Sequence, residues 1–179
     1  MYMKITSPLI ISALIANFFI FSCSKDEPVP VDTTEALTFK VEKDLDGNVF
    51  VDNETIDFFT IVPDNATLDF YVRNISSETI AMRIEVESMY GTDGSGMELC
   101  FGECYPDVTP GRSYPMSPIT NVYIEPGQTQ VSSEDHFLNS DGGDGINPVE
   151  YTFKFYLADE AGNEKNGTAF RIKYKYTRN

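Results

Sequence analysis

The chain has 179 residues, with 28 Asp and Glu against 13 Lys and Arg and a formal net charge of −15. So acidic a surface cannot neutralise a phosphate backbone, which excludes nucleic acid as a partner and leaves the charge as a solubilising face. A single histidine, His136, and no tryptophan remove the acid–base, nucleophilic and metal constellations that need a second His or a Cys/His pair in reach. The acids show no spacing that singles out a catalytic pair, so a non-enzymatic protein without a cofactor is expected.

Residues 1–22, MYMKITSPLIISALIANFFIFS, carry one lysine, Lys4, and then an uncharged apolar run. This is the charged-then-apolar layout of an export leader, and it is barely the length a membrane span needs. The run Ile20, Phe21, Ser22, Cys23 resembles the lipobox of bacterial lipoproteins, which implies cleavage before Cys23 and acylation of that residue. Acyl chains bury methylenes worth about 0.8 kcal/mol each, enough to hold a protein on a bilayer without a spanning helix. Ser24, Lys25, Asp26 and Glu27 resemble the export signal of surface lipoproteins of the Bacteroidota. That resemblance implies an outer-membrane lipoprotein, lipid-anchored and facing the cell exterior. Residues 28–35, PVPVDTTE, read as an extended tether completing segment 23–35. Within it Asp32, Thr33 and Thr34 resemble the O-glycosylation sequon of the same group, which implies Thr33 as the acceptor.

From residue 36 to 179 the dominant signal is period two. Leu68, Phe70 and Val72 alternate with Asp69 and Tyr71, and Ile80, Met82, Ile84 and Val86 alternate with Ala81, Arg83, Glu85 and Glu87. With the polar NISSET between them these predict an antiparallel pair, wet on one face. The pattern returns in Tyr151 to Leu157 and in Phe170 to Tyr176, and more weakly at 36–42, 48–52, 56–62, 119–124 and 128–138. Asp46-Gly47-Asn48 and Pro126-Gly127 supply the turns. Seven to nine short strands so punctuated argue a β-sandwich.

The order LDFYVRNISSETIAMRIEV, CFGECYP, IEPGQTQ, VEYTFKFYLAD resembles Ig-like domains of secreted and surface Bacteroidota proteins over most of residues 65–176. It implies an all-β, Ig-like antiparallel sandwich, a fold that serves too many roles to name one.

If Cys23 is lipidated, Cys100 and Cys104 are left to pair in an oxidising compartment. An extended strand would hold their Cα atoms about 13 Å apart, so the chain must reverse over Phe101-Gly102-Glu103 for a disulfide to close. A redox pair or half of a metal site are the alternatives; the first usually wants two intervening residues, the second further ligands. Asp44 to Asn48 reads as a hairpin turn, because its glycine falls at the wrong place for an EF-hand. The loop NSDGGDGIN offers Asp141 and Asp144 as candidate calcium ligands, although flexible acidic loops are common without an ion. Arg171, Lys173 and Lys175 share a strand face, suited to cross-strand acids or to an acidic partner. Tyr105, Tyr114 and Tyr123 are candidates for an exposed partner patch. The functional expectation is a binding or accessory subunit of an outer-membrane protein complex; the alternative is a glycan-binding accessory of a nutrient-uptake system.

Overall fold

The chain divides into two units, residues 1–33 and 34–179. The computed structural model describes residues 37–130 and 135–178, all in the second unit. The expectations for Cys23, for Ser24, Lys25, Asp26 and Glu27, and for Thr33 lie outside the described residues.

The second unit is an all-β sandwich. One sheet of six strands is built from β2 (Glu54–Phe58), β5 (Ile80–Tyr90), β8 (Ser113–Tyr114), β9 (Val122–Ile124), β12 (Val149–Leu157) and β13 (Phe170–Tyr176). Its order is β2-β13-β12-β5-β8, with β9 also on β5. A four-stranded sheet runs β3-β11-β6-β7, from β3 (Thr67–Asp69), β6 (Met97–Phe101), β7 (Glu103–Pro106) and β11 (His136–Asn139). The smallest, β1-β4-β10, joins β1 (Phe39–Glu42), β4 (Tyr71–Asn74) and β10 (Thr129–Gln130). All these pairings are antiparallel except β2 on β13. One helical turn, α1 (Pro63–Ala66), starts at a proline in its first position, where the missing N–H costs nothing.

The inner faces carry the alternating apolar residues predicted from the sequence. On β13, Phe170, Ile172, Tyr174 and Tyr176 are buried while Arg171, Lys173 and Lys175 point outward. Phe137 of β11 stacks on Phe153 of β12 with ring centroids 3.6 Å apart. Phe70 meets Phe137 at 4.6 Å and Phe155 edge-on at 5.1 Å. These contacts lock the four-stranded sheet onto the six-stranded one through aromatic pairs.

Four readings need correction. The alternation at 68–72 places Leu68, Phe70 and Val72 inside as expected, but the chain breaks at Phe70 and changes sheets, β3 pairing with β11 and β4 with β1 and β10. The predicted pairing of this stretch with 80–87 is absent, because NISSET crosses between sheets instead of closing a hairpin. Buried Asn74 holds that crossing: its Nδ2 donates to the carbonyls of Glu78 at 2.7 Å and Ile124 at 2.9 Å, and its Oδ1 accepts from the N–H and hydroxyl of Ser76. Segment 48–52 contributes only a bridge, Glu42 to Val49, and 128–138 splits into β10 and β11 of different sheets. Among the described residues there are thirteen strands against the seven to nine expected: β6, β7 and β8 form where no alternation was read, and 68–72 and 128–138 each divide in two.

On β5 the register against β12 slips: Ser88 faces Thr152 and Val86 faces Phe153, leaving Glu87 without an opposite residue. Such a bulge reverses the alternation, so Met89 packs on the core where Ser88 would have been. Glu87, on the wet face, takes both Nε and Nη2 of Arg171 at 2.7 Å. Lys154 lies between Glu85 at 2.7 Å and Glu164 at 2.9 Å, and Lys175 reaches Glu150 at 3.0 Å. Two residues of the basic stripe, Arg171 and Lys175, are therefore matched by acids of β5 and β12.

Candidate functional site

At one end of the sandwich the β5–β6 connection meets the β11–β12 loop. Gly91, at φ +69°, makes the meeting close: a Cβ there would stand 2.1 Å from the Pro148 carbonyl oxygen, a distance no side chain tolerates. The two loops enclose a cleft of about 510 Å³ lined by Thr92, Asp93, Asp141, Asp144 and Asn147 among others. A relay runs out of the core to it. Thr92 Oγ1 donates to Asp141 Oδ2 at 2.6 Å, so the Tyr151 hydroxyl, 3.2 Å away, is left to donate to Thr92. Burial pushes the Tyr151 hydroxyl up to about 12, and it remains a donor throughout the neutral range. Tyr90, 54% exposed, stands beside the cleft and donates from its hydroxyl to Asn147 Oδ1 at 3.0 Å.

The structure thus brings the expected calcium candidates, Asp141 and Asp144, to one cleft, where their oxygens accept hydrogen bonds from both loops. Asp141 Oδ1 accepts from the Gly143 N–H at 2.8 Å. Asp144 accepts from the N–H groups of Ile146 and Asn147 and from the Asn147 amide, all at 2.8 Å. The Asn147 and Ile146 N–H groups hold the Asp144 carboxyl below its ordinary value. The Arg178 guanidinium lies against the same loop, 2.9 Å from where a Cβ on Gly145 would be. These are Asx turns that order the loop. Asp44 behaves alike, accepting from the N–H groups of Asp46 and Asn48, as the hairpin-turn reading anticipated.

On the four-stranded sheet, Cys100 and Cys104 form a disulfide. They are directly opposed on β6 and β7, and the chain reverses at Gly102, φ +70°, between the paired Phe101 and Glu103. The reversal expected at Phe101-Gly102-Glu103 is therefore a hairpin of minimal length. The Gly102 N–H donates to Asp135 Oδ1 at 2.9 Å, tying the tip to the start of β11. Across β6 from Cys104 stands His136, paired in register with Cys100. Its Nε2 is 3.7 Å from Cys100 Sγ and 3.1 Å from Glu98 Oε1. A Cys/His/carboxylate group is thus assembled from residues 38 apart in sequence, a proximity that spacing alone could not reveal.

A third feature is apolar. Leu37, Phe39, Val41, Phe50 and Phe170 line a groove of about 320 Å³, with Val49 and Ile75, 45% and 47% exposed, at its edge. The tyrosine patch needs correction. Tyr105 and Tyr114 are buried and packed on each other at 5.0 Å, and Tyr105's hydroxyl accepts from the Met116 N–H at 3.0 Å. Tyr123 alone of the three is open to solvent. Arg83, read as a plain outward residue, bonds the carbonyls of Ser113, Pro115 and Thr120 and so straps the 113–120 segment to β5.

No protein-family model matches the chain, and no curated protein matches it. A solved structure described as the N-terminal domain of PorA is similar over 78% of this chain and 97% of that one, at 17% identity and a TM-score of 0.44. At that distance neither fold nor function is carried across.

Proposed function

We propose that the protein is a non-enzymatic lipoprotein, acylated at Cys23, held on the outer membrane facing the cell exterior, whose sandwich is a binding or accessory subunit of an outer-membrane protein complex. The observation that carries the binding role is the apolar groove edged by half-exposed Val49 and Ile75. Apolar side chains lining a concavity on so acidic a chain favour contact with a protein over contact with a charged ligand. Two measurements test the reading. Metabolic labelling with a palmitate analogue is expected to mark the wild type and not Cys23→Ala; equal labelling removes the anchor. A photo-crosslinking residue at Val49 is expected to trap one membrane protein in stoichiometric yield, lost when Ile75→Asp is added in the same chain. Recovery of the uncrosslinked protein alone removes the subunit role.

The cleft beside Tyr90 favours a second reading, a glycan-binding accessory of a nutrient-uptake system. An exposed aromatic ring whose hydroxyl bonds Asn147, at the rim of a cleft that Asp93 and Asp144 also line, combines a stacking face with hydroxyl-matching polar groups. Binding on a glycan array that disappears in Tyr90→Ala supports it, and an array without a Tyr90-dependent signal dismisses it.

A further inference from the structure

The corner of the four-stranded sheet around Cys100 holds four metal-ligating side chains in one neighbourhood. Cys104 of β7, Cys100 of β6 and His136 of β11 form one cross-strand row. Glu98 lies two residues along β6 and therefore on the same face as Cys100. One ligand atom from each of Glu98, Cys100 and His136 falls within 4.8 Å of the others, and Cys104 Sγ is bonded directly to Cys100 Sγ. We propose that reduction of this disulfide converts the corner into a zinc site with ligands Cys100, Cys104, His136 and Glu98.

The geometry fits the ion. Zinc holds thiolate at about 2.3 Å and imidazole or carboxylate at about 2.0–2.2 Å in a tetrahedron, so neighbouring ligand atoms stand about 3.3 to 3.8 Å apart. The Nε2 to Oε1 and Sγ to Nε2 separations, 3.1 and 3.7 Å, already lie close to that spacing. The two sulfurs must part and Cys104 Sγ, which lies outside the group formed by Glu98, Cys100 and His136, must swing toward it; Cys104 is the side chain free to do so, since it is exposed on β7, the edge strand of its sheet. His136 and Glu98 sit on strands paired to each other, so the other half of the site is pre-set by the sheet. Two thiolates and an imidazole are the donor set that selects zinc over calcium or magnesium.

The reaction balances. A dithiol donor gives two electrons and two protons to the sulfur–sulfur bond and becomes a disulfide itself, leaving two thiols on the protein. Zn²⁺ then displaces both thiol protons, while Glu98 binds as carboxylate and His136 as neutral imidazole. While the sulfurs are joined they cannot act as thiolates, so the corner binds metal in one redox state only.

The test uses the full chain in detergent with Cys23→Ser, so that the leader cysteine offers no thiolate, and Co²⁺ as a spectroscopic stand-in for zinc. A water-soluble phosphine reduces the disulfide without competing for the metal, its oxygen coming from water as it becomes a phosphine oxide. The expected result is one Co²⁺ per reduced chain, with tetrahedral ligand-field bands and thiolate-to-cobalt charge transfer, displaced by one equivalent of Zn²⁺. The oxidised chain shows none of these, and His136→Ala and Glu98→Gln each lose at least tenfold in affinity. Three results overturn the proposal: no charge-transfer band in reduced protein that keeps its β-type circular dichroism, a reduced protein that has lost that signal, or His136→Ala and Glu98→Gln binding as tightly as the parent.

Discussion

At the scale of single residues, the polar side chains inside this sandwich act as connectors. Asn74 is fully enclosed and satisfies two carbonyls, an N–H and a hydroxyl across the crossing from β4 to β5. Asn74→Ala takes this partner from the Ile124 carbonyl and the Ser76 N–H, while the Ser76 hydroxyl and the Glu78 carbonyl keep each other at 3.0 Å. The expected cost is about 2 to 4 kcal/mol, since each buried orphan costs about 1 to 3, read as a lower urea midpoint with an unchanged slope. A midpoint within error of wild type would show that water replaces the amide freely. Glu87 supports a pH prediction. The hydrogen bonds from Arg171 hold its carboxyl below the ordinary value, against the opposing effect of burial. A carboxyl with a folded pKa below its unfolded one adds stability above the unfolded value and loses it as pH falls through the folded value. The melting temperature of the wild type should therefore drop more than that of Glu87→Gln between about pH 5 and pH 3, and parallel curves would remove Glu87 as a source of acid sensitivity.

At the scale of elements, the cysteine hairpin is the shortest self-contained unit. β6 and β7 close over a single glycine, and the bond between Cys100 and Cys104 spans the pair. For so short a ring the chain-entropy estimate is about 2 kcal/mol. The Cys100→Ala/Cys104→Ala protein should unfold at a correspondingly lower urea concentration, and alkylation of the unreduced wild type should find neither thiol; a reactive Cys100 or Cys104 contradicts the hairpin staple. The same hairpin shows what the sequence made legible. Met97, Leu99 and Phe101 alternate with Glu98 and Cys100, a strand signal hidden because Cys100 is itself apolar and makes Leu99-Cys100-Phe101 a continuous run. The bulge left a trace as well, in the three-residue step from Val86 to Met89 where the period should be two. The faces of β5, β12 and β13 followed directly from alternation, which fixes in from out whatever strand lies beside. Sheet membership did not, because nothing local to Phe70 distinguishes a strand that continues from one that crosses to another sheet. For the same reason the meeting of His136 with Cys100 and Glu98, and of Asp141 with Thr92, had no local signature: both depend on pairings between distant segments.

At the scale of the whole molecule, charge opposes compaction. Acids outnumber bases by 28 to 13, and several of the bases are already committed: Arg171 to Glu87, Lys154 to Glu85 and Glu164, Arg73 to Glu42, Lys43 to Glu54 and Lys175 to Glu150. The carboxylates left over repel one another over distances comparable with the Debye length, about 30 Å at 0.01 M salt and about 8 Å at 0.15 M. Salt therefore acts in two directions, relieving long-range repulsion and weakening the exposed pairs. The pairs are short and several are half-sheltered, so screening touches them least, and exposed pairs are worth only about 0 to 1 kcal/mol each. Repulsion among unpaired acids is longer-ranged and is removed first. The melting temperature should accordingly rise as sodium chloride is increased from about 0.01 to 0.15 M, and potassium chloride should reproduce the effect. A fall over that range would mean that the ion-pair lattice on the wet face of β5, β12 and β13 outweighs the net charge, and that the acidic surface is stabilising in place.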